Sequence, residues 1–101
     1  MKITLHTMDL QIRNMLGWDS KTEEEFETQA KTLFDFFKEV KDKDGKVLYD
    51  RVIDETDVIL GNSYAFFNCK ALLKRDAWDD RLLEDGDKIV LLRSLAGCGG
   101  G

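Results

Sequence analysis

The chain closes on Gly97-Cys98-Gly99-Gly100-Gly101, which brings one thiol and one backbone carboxylate together. Glycine has no Cβ and loses the most conformational entropy on ordering, so a glycine run serves either flexibility or narrowness. This run reads as a thread that enters a slot too thin for side chains, with the carboxylate of Gly101 as the working group. On that reading the chain is a carrier or modifier and not a catalyst with a pocket of its own. The other reading is a loose terminus with no chemistry. Cys98, set among glycines, is exposed in the unbound chain. It is either an incidental thiol or one that forms a transient disulfide with a partner cysteine, or exchanges sulfur with the terminal group.

The remaining polar residues do not assemble a catalytic pattern. His6 is the only histidine, and alternation sets it on the polar face of a strand, so no Ser-His or Cys-His pair follows from it. Two cysteines and one histidine spread along the chain do not make a zinc site, and no metal is expected. Asp42, Asp44 and Gly45 have part of a calcium-loop spacing. That register would put Val40 first and Arg51 last, where carboxylates are needed. Cys69 falls in an apolar segment and reads as an inert core thiol. Glu23-Glu24-Glu25 reads as a solvated edge or helix start.

The elements that must position the tail belong to one domain. A chain of 101 residues with 43% apolar and 35% charged content folds around a single core. We expect a globular unit over 1–95 and a flexible glycine-rich tail over 96–101. The net charge is −5, and Lys and Arg form no stripe, which argues against nucleic acid or an anionic membrane as partner. No apolar run has the length of a membrane span, and the N-terminus lacks the order of a signal peptide. Two cysteines without a framework predict a reducing, cytoplasmic setting.

Lys2 to Met8 alternates, with Ile3 and Leu5 on one face, and predicts a half-buried strand. Gly17 marks a turn. Ala30, Leu33, Phe34, Phe37 and Val40 recur at helical spacing and predict one main helix through to Lys43, with Gly45 as its C-terminal cap. Thr22 and Glu25 fit a capping box that would start this helix near Glu23. The preferred reading of Glu24 to Thr28 is a short polar strand paired with the first. Asp57 to Leu60 predicts a strand, Gly61-Asn62-Ser63 a turn, and Tyr64 to Cys69 the hairpin partner. Ala71 to Trp78 reads as a short helix or irregular chain. Asp85-Gly86-Asp87 is a tight turn into Lys88 to Leu92, a strand with a nearly continuous apolar run and so interior to the sheet. Strands, a helix and more strands predict an α+β fold, with the helix across one face of a small mixed sheet.

The run Leu82-Leu83-Glu84-Asp85-Gly86-Asp87-Lys88-Ile89-Val90-Leu91-Leu92, followed closely by the glycine tail, resembles the closing segment of the MoaD/ThiS-type sulfur carriers. That family includes the small subunit of molybdopterin synthase. The Lys2-Ile3-Thr4-Leu5 strand, the helix at Thr32 to Phe37 and the strand ending Leu60-Gly61-Asn62 are similar to it as well. Arg93-Ser94 stands where the family often has prolines, Gly61-Asn62 reverses its Asn-Gly, Cys98 interrupts the tail, and 45–56 is extra length. The resemblance implies a β-grasp, ubiquitin-like fold. It further implies a ubiquitin-activating-like adenylyltransferase that uses ATP to join the Gly101 carboxylate to AMP. A persulfide sulfur from a sulfurtransferase or cysteine desulfurase then displaces AMP and leaves a thiocarboxylate for molybdopterin-like or thiamine-like cofactor synthesis. In the molybdopterin branch a larger synthase subunit receives the tail.

On this reading Gly99, Gly100 and Gly101 act by thinness, the chain is not itself an enzyme, and no cofactor stays bound. Five tail residues extend about 16 Å at most. Phe66, Phe67, Leu92 and Leu95 are candidates for an apolar contact patch beside the tail, with Cys98 next to it. The competing reading splits the two phenylalanines between core and surface and buries Leu92. Two other functions stay open: a ubiquitin-like modifier joined through Gly101 to lysines of target proteins, and a plain β-grasp interaction domain.

Overall fold

Ile3 and Leu5 are wholly buried while Lys2, Thr4 and His6 take the opposite side, so β1 (Lys2–His6) forms where the alternation predicts it. This is a computed structural model that describes residues 1–54, 56–61, 63–68, 71–74, 78 and 81–92. After β1 come α1 (Leu10–Leu16), β2 (Glu23–Glu27), α2 (Leu33–Phe37), α3 (Leu48–Val52), β3 (Tyr64–Phe67), β4 (Ala71–Lys74) and β5 (Lys88–Leu92). The strands form one mixed sheet in the order β2-β1-β5-β3-β4. β1 is antiparallel to β2 and parallel to β5, and β3 is antiparallel to both β5 and β4. The fold is a small α+β arrangement.

Strand β5 lies between β1 and β3, and Ile89, Val90, Leu91 and Leu92 are all buried. That is the interior position its apolar run predicts. Ile89 and Leu91 join the main core with Ile3, Leu5, Ala65 and Phe67. The helices cover this side, contributing Ile12, Met15, Leu33, Phe36, Phe37, Leu48 and Val52. Phe37 packs on Trp78 with ring centroids 5.5 Å apart, and Phe34 meets Tyr49 edge-on at 5.3 Å. Each wholly buried side chain of this size contributes about 1.5–3 kcal/mol.

Several elements differ from the expectation. The predicted main helix is only the five residues of α2, capped by the Thr32 hydroxyl, which accepts from the Asp35 N–H at 3.2 Å. Ala30 and Val40 are buried from irregular chain on either side of it. Their helical spacing reflects a shared core and not a shared helix. Gly45 caps no helix. It sits at φ +86° in the turn between Lys41 and Val47, which form an isolated bridge. Of the two readings for the glutamate run, the preferred one holds: Glu23–Glu27 is a strand paired with β1 and not the helix start. A helix not foreseen, α1, follows Asp9, whose carboxylate accepts from the N–H groups of Gln11 and Ile12 at 2.9 and 3.0 Å. Gly17 ends it in the left-handed conformation, φ +78°.

Residues 57–60 are turns and not a strand. The Asp57 carboxylate accepts from the N–H groups of Ile59 and Leu60, both at 2.9 Å, which bends the chain there. The hairpin partner of β3 is β4, in the segment read as helix or irregular. The extra length carries α3, tied down by a polar chain. Asp42 accepts from the Asp44 and Lys46 N–H groups and from Arg51 at 3.4 Å, and Arg51 donates to Asp57 at 2.8 Å. The buried Asp42 carboxylate is thus occupied by its own turn and a guanidinium.

Candidate functional site at the end of the central strand

Polar groups hold β5 at both of its ends. At its start, Asn68 adopts φ +51°, a conformation asparagine tolerates well among non-glycine residues. Its carboxamide oxygen accepts from the Lys88 N–H at 2.8 Å, and its nitrogen donates to Asp87 at 3.1 Å. The other Asp87 oxygen accepts from the Glu84 N–H at 2.9 Å and closes the Asp85-Gly86 turn, where Gly86 has φ +87°. The Gly86 N–H donates to the Lys2 carbonyl and the Lys2 N–H to the Asp85 carboxylate, pinning the turn to β1.

At the far end, the Thr7 hydroxyl donates to the Leu91 carbonyl at 2.9 Å and accepts from the Asp9 N–H at 3.1 Å. Thr7 is wholly buried. One hydroxyl therefore joins the end of β5 to the entry of α1. The parallel register, with His6 beside Val90, carries the chain after β1 to the same end of the sheet as Leu92. Anything attached after Leu92 leaves from this end.

Phe67 is 1% exposed and belongs to the core, because alternation in β3 turns it inward with Ala65. It supplies no contact patch, which corrects that expectation. Leu92 is also buried, at 9% exposure. The Cα register sets Phe66 between Val90 and Leu72, at the parity opposite to Phe67. Leu95, Cys98, Gly99, Gly100 and Gly101 lie outside the described residues, as does Cys69. Sequence reasoning missed Thr7 and the helix that follows it. Asp9 and Gly17 bracketing Leu10–Leu16 were the available signal for the helix, while the Thr7 bond depends on a register between chain ends.

His6 is less solvated than its alternation predicts, with an 18% exposed side chain. Its Nδ1 lies 3.3 Å from a Glu23 oxygen, off the line of a hydrogen bond, and Lys88 approaches the same oxygen at 3.3 Å. In the polar chain of the insert, burial works against charge on both Arg51 and Asp57. Their mutual pairing outweighs it, with further bonds from Ile59 and Leu60 to Asp57. The Arg51 guanidinium is held above its ordinary value and the Asp57 carboxyl below its own. Among the described residues no group of three or more His, Cys, Asp or Glu side chains is arranged to hold a metal ion. Among them, too, no helix is long and apolar enough to cross a membrane.

Comparison with known proteins found no matching family model, no matching curated protein and no matching solved structure.

Proposed function

We propose that the chain is a β-grasp sulfur carrier whose Gly101 carboxylate is activated by a partner enzyme. The observation that carries the reading is the fold of the segment that resembles the sulfur carriers. Its Asp85-Gly86 turn leads into a strand whose last four residues are apolar and buried, held between β1 and β3. First and last strands side by side and parallel, with helices between them in sequence, is the arrangement a β-grasp reading calls for.

A carboxylate resists nucleophiles because its charge is delocalised and oxide is a poor leaving group. ATP on an adenylyltransferase partner converts it to an acyl adenylate and pyrophosphate. The outer sulfur of a partner persulfide attacks the acyl carbon and expels AMP, giving an acyl disulfide. A second thiol on that partner then takes the inner sulfur into a disulfide, and the outer sulfur leaves with Gly101 as a thiocarboxylate. That anion donates sulfur to a metabolite in cofactor synthesis of the molybdopterin or thiamine kind. Glycines at 99–101 keep the reacting carbon clear of the channel walls.

The test is the intact mass of the protein from its native cells, with the C-terminal peptide fragmented. A sulfur-for-oxygen gain localised to Gly101 supports the carrier. A free carboxylate throughout overturns it, and isopeptide links from Gly101 to lysines of other proteins would replace it with the modifier.

A further inference from the structure

The sheet order pairs β2 on one side only, so Glu23–Glu27 is an edge strand. In an antiparallel ladder, pairs that exchange both backbone bonds alternate with pairs that exchange none. The Thr28 N–H donates to the Met1 carbonyl at 2.8 Å, and the Thr7 N–H to the Thr22 carbonyl at 2.9 Å. With Ile3 opposite Phe26 and Leu5 opposite Glu24, Glu24 and Phe26 therefore turn their backbone groups toward β1. Glu23, Glu25 and Glu27 turn theirs to the open edge. Their N–H and carbonyl groups stand there in a row, and none bonds another of the described residues. The strand is five residues long, unbroken in register and free of proline, so nothing in its shape blunts it as a template for a further strand.

The side chains decide which strand can add. Those of Glu23, Glu25 and Glu27 are 52%, 61% and 70% exposed, on the sheet face turned away from the core. The cations near them sit inward of β2. Lys88 and the His6 ring lie 3.3 Å from Glu23, Lys2 lies 3.9 Å from Glu25, and the Met1 amino group lies 3.3 Å from Glu27. Exposed pairs of this kind are weak, and the outward side of each carboxylate is left to solvent. A second copy's β2 is a poor occupant, because glutamate would face glutamate. On the core side of the strand, half-buried Phe26 packs on Phe36 with ring centroids 5.6 Å apart.

We propose that β2 is a docking edge for an extended segment of another protein, with lysine or arginine at alternate positions and apolar residues between them. Backbone bonds to Glu23, Glu25 and Glu27 hold the segment, as in other strand additions. Its basic side chains lie beside those three carboxylates, and an apolar one lies beside Phe26. This surface does not depend on the chemistry at Gly101.

The test is an NMR titration of the whole chain with an end-blocked peptide of alternating lysine and valine. Binding should slow hydrogen exchange at the amides of Glu23, Glu25 and Glu27. Two further peptides carry N-methyl groups, one on its lysine amides and the other on its valine amides. Their charges are equal, but strand addition uses only one of the two rows of N–H groups. One methylated peptide should therefore lose binding and the other keep it. Glu25→Gln/Glu27→Gln, checked for folding by thermal denaturation, should weaken the parent peptide at least about twofold. A peptide of alternating glutamate and valine should not bind. Unchanged exchange at the three amides overturns the docking edge, and so does equal binding by the two methylated peptides, which would be charge attraction alone. Protection of the same amides by rising concentration of the protein alone would give the edge to a second copy and also overturn the proposal.

Discussion

Replacing Thr7 with valine tests whether one hydroxyl fastens the end of the central strand. Valine keeps the shape of threonine, so no cavity opens and the change is confined to the hydroxyl. Two bonds are lost: the donation to the Leu91 carbonyl at 2.9 Å and the acceptance from the Asp9 N–H at 3.1 Å. Thr7 is wholly buried, so the Leu91 carbonyl gains no water in exchange. An unsatisfied buried group costs about 1–3 kcal/mol, whereas the part-buried Asp9 N–H can recover some solvation. We therefore expect Thr7→Val to lose about 2 kcal/mol, or roughly 8–16 °C in Tm for a domain of this size. Thr7→Ser keeps the hydroxyl and loses only a methyl, near 1 kcal/mol. Urea denaturation followed by far-ultraviolet circular dichroism at a fixed temperature measures each. A Thr7→Val midpoint at or above that of Thr7→Ser would refute the reasoning, since the methyl would then matter more than both bonds.

Phe37→Ala removes a wholly buried ring that packs on Trp78 and should cost about 3–5 kcal/mol in the same titration; a cost below 1 kcal/mol would mean the site collapses freely. Asp9→Ala removes the acceptor for the Gln11 and Ile12 N–H groups and should cost about 1 kcal/mol, with Asp9→Ser recovering most of it. The folded Asp57 carboxyl lies below its ordinary 3.8, so its contribution is full above that value and is lost as pH falls through the folded value. Asp57→Asn should therefore be less stable than wild type at neutral pH and approach it on acidification, and stability curves that run parallel across that range would contradict the pairing with Arg51.

Where local rules and the sheet agreed, the fold was legible. Ile3 and Leu5 alternate, Asp85-Gly86-Asp87 turns, and Ile89 to Leu92 is apolar on both faces, and each of these formed as read. Ala71-Leu72-Leu73-Lys74 favours a helix by intrinsic preference, yet pairing with β3 overrides that preference. Asp57 to Leu60 looks like a buried strand until the Asp57 side chain captures two backbone N–H groups. α1 is too short for periodicity to reveal, and only its caps could have done so. The expectation for the tail rests on its composition. The fastening of the end of β5 is not legible there, because Thr7 meets the Leu91 carbonyl only through a parallel register spanning more than eighty residues.

That register also has a mechanical consequence. Traction applied to the chain end past Leu92, along the strand, would load the ladders to β1 and β3 together and in shear. Bonds arranged this way must yield as a group, unlike a hairpin peeled open one pair at a time. A pull on this end therefore meets both ladders at once before the domain unravels. Unfolding that starts from β5 begins with a strand paired on both sides.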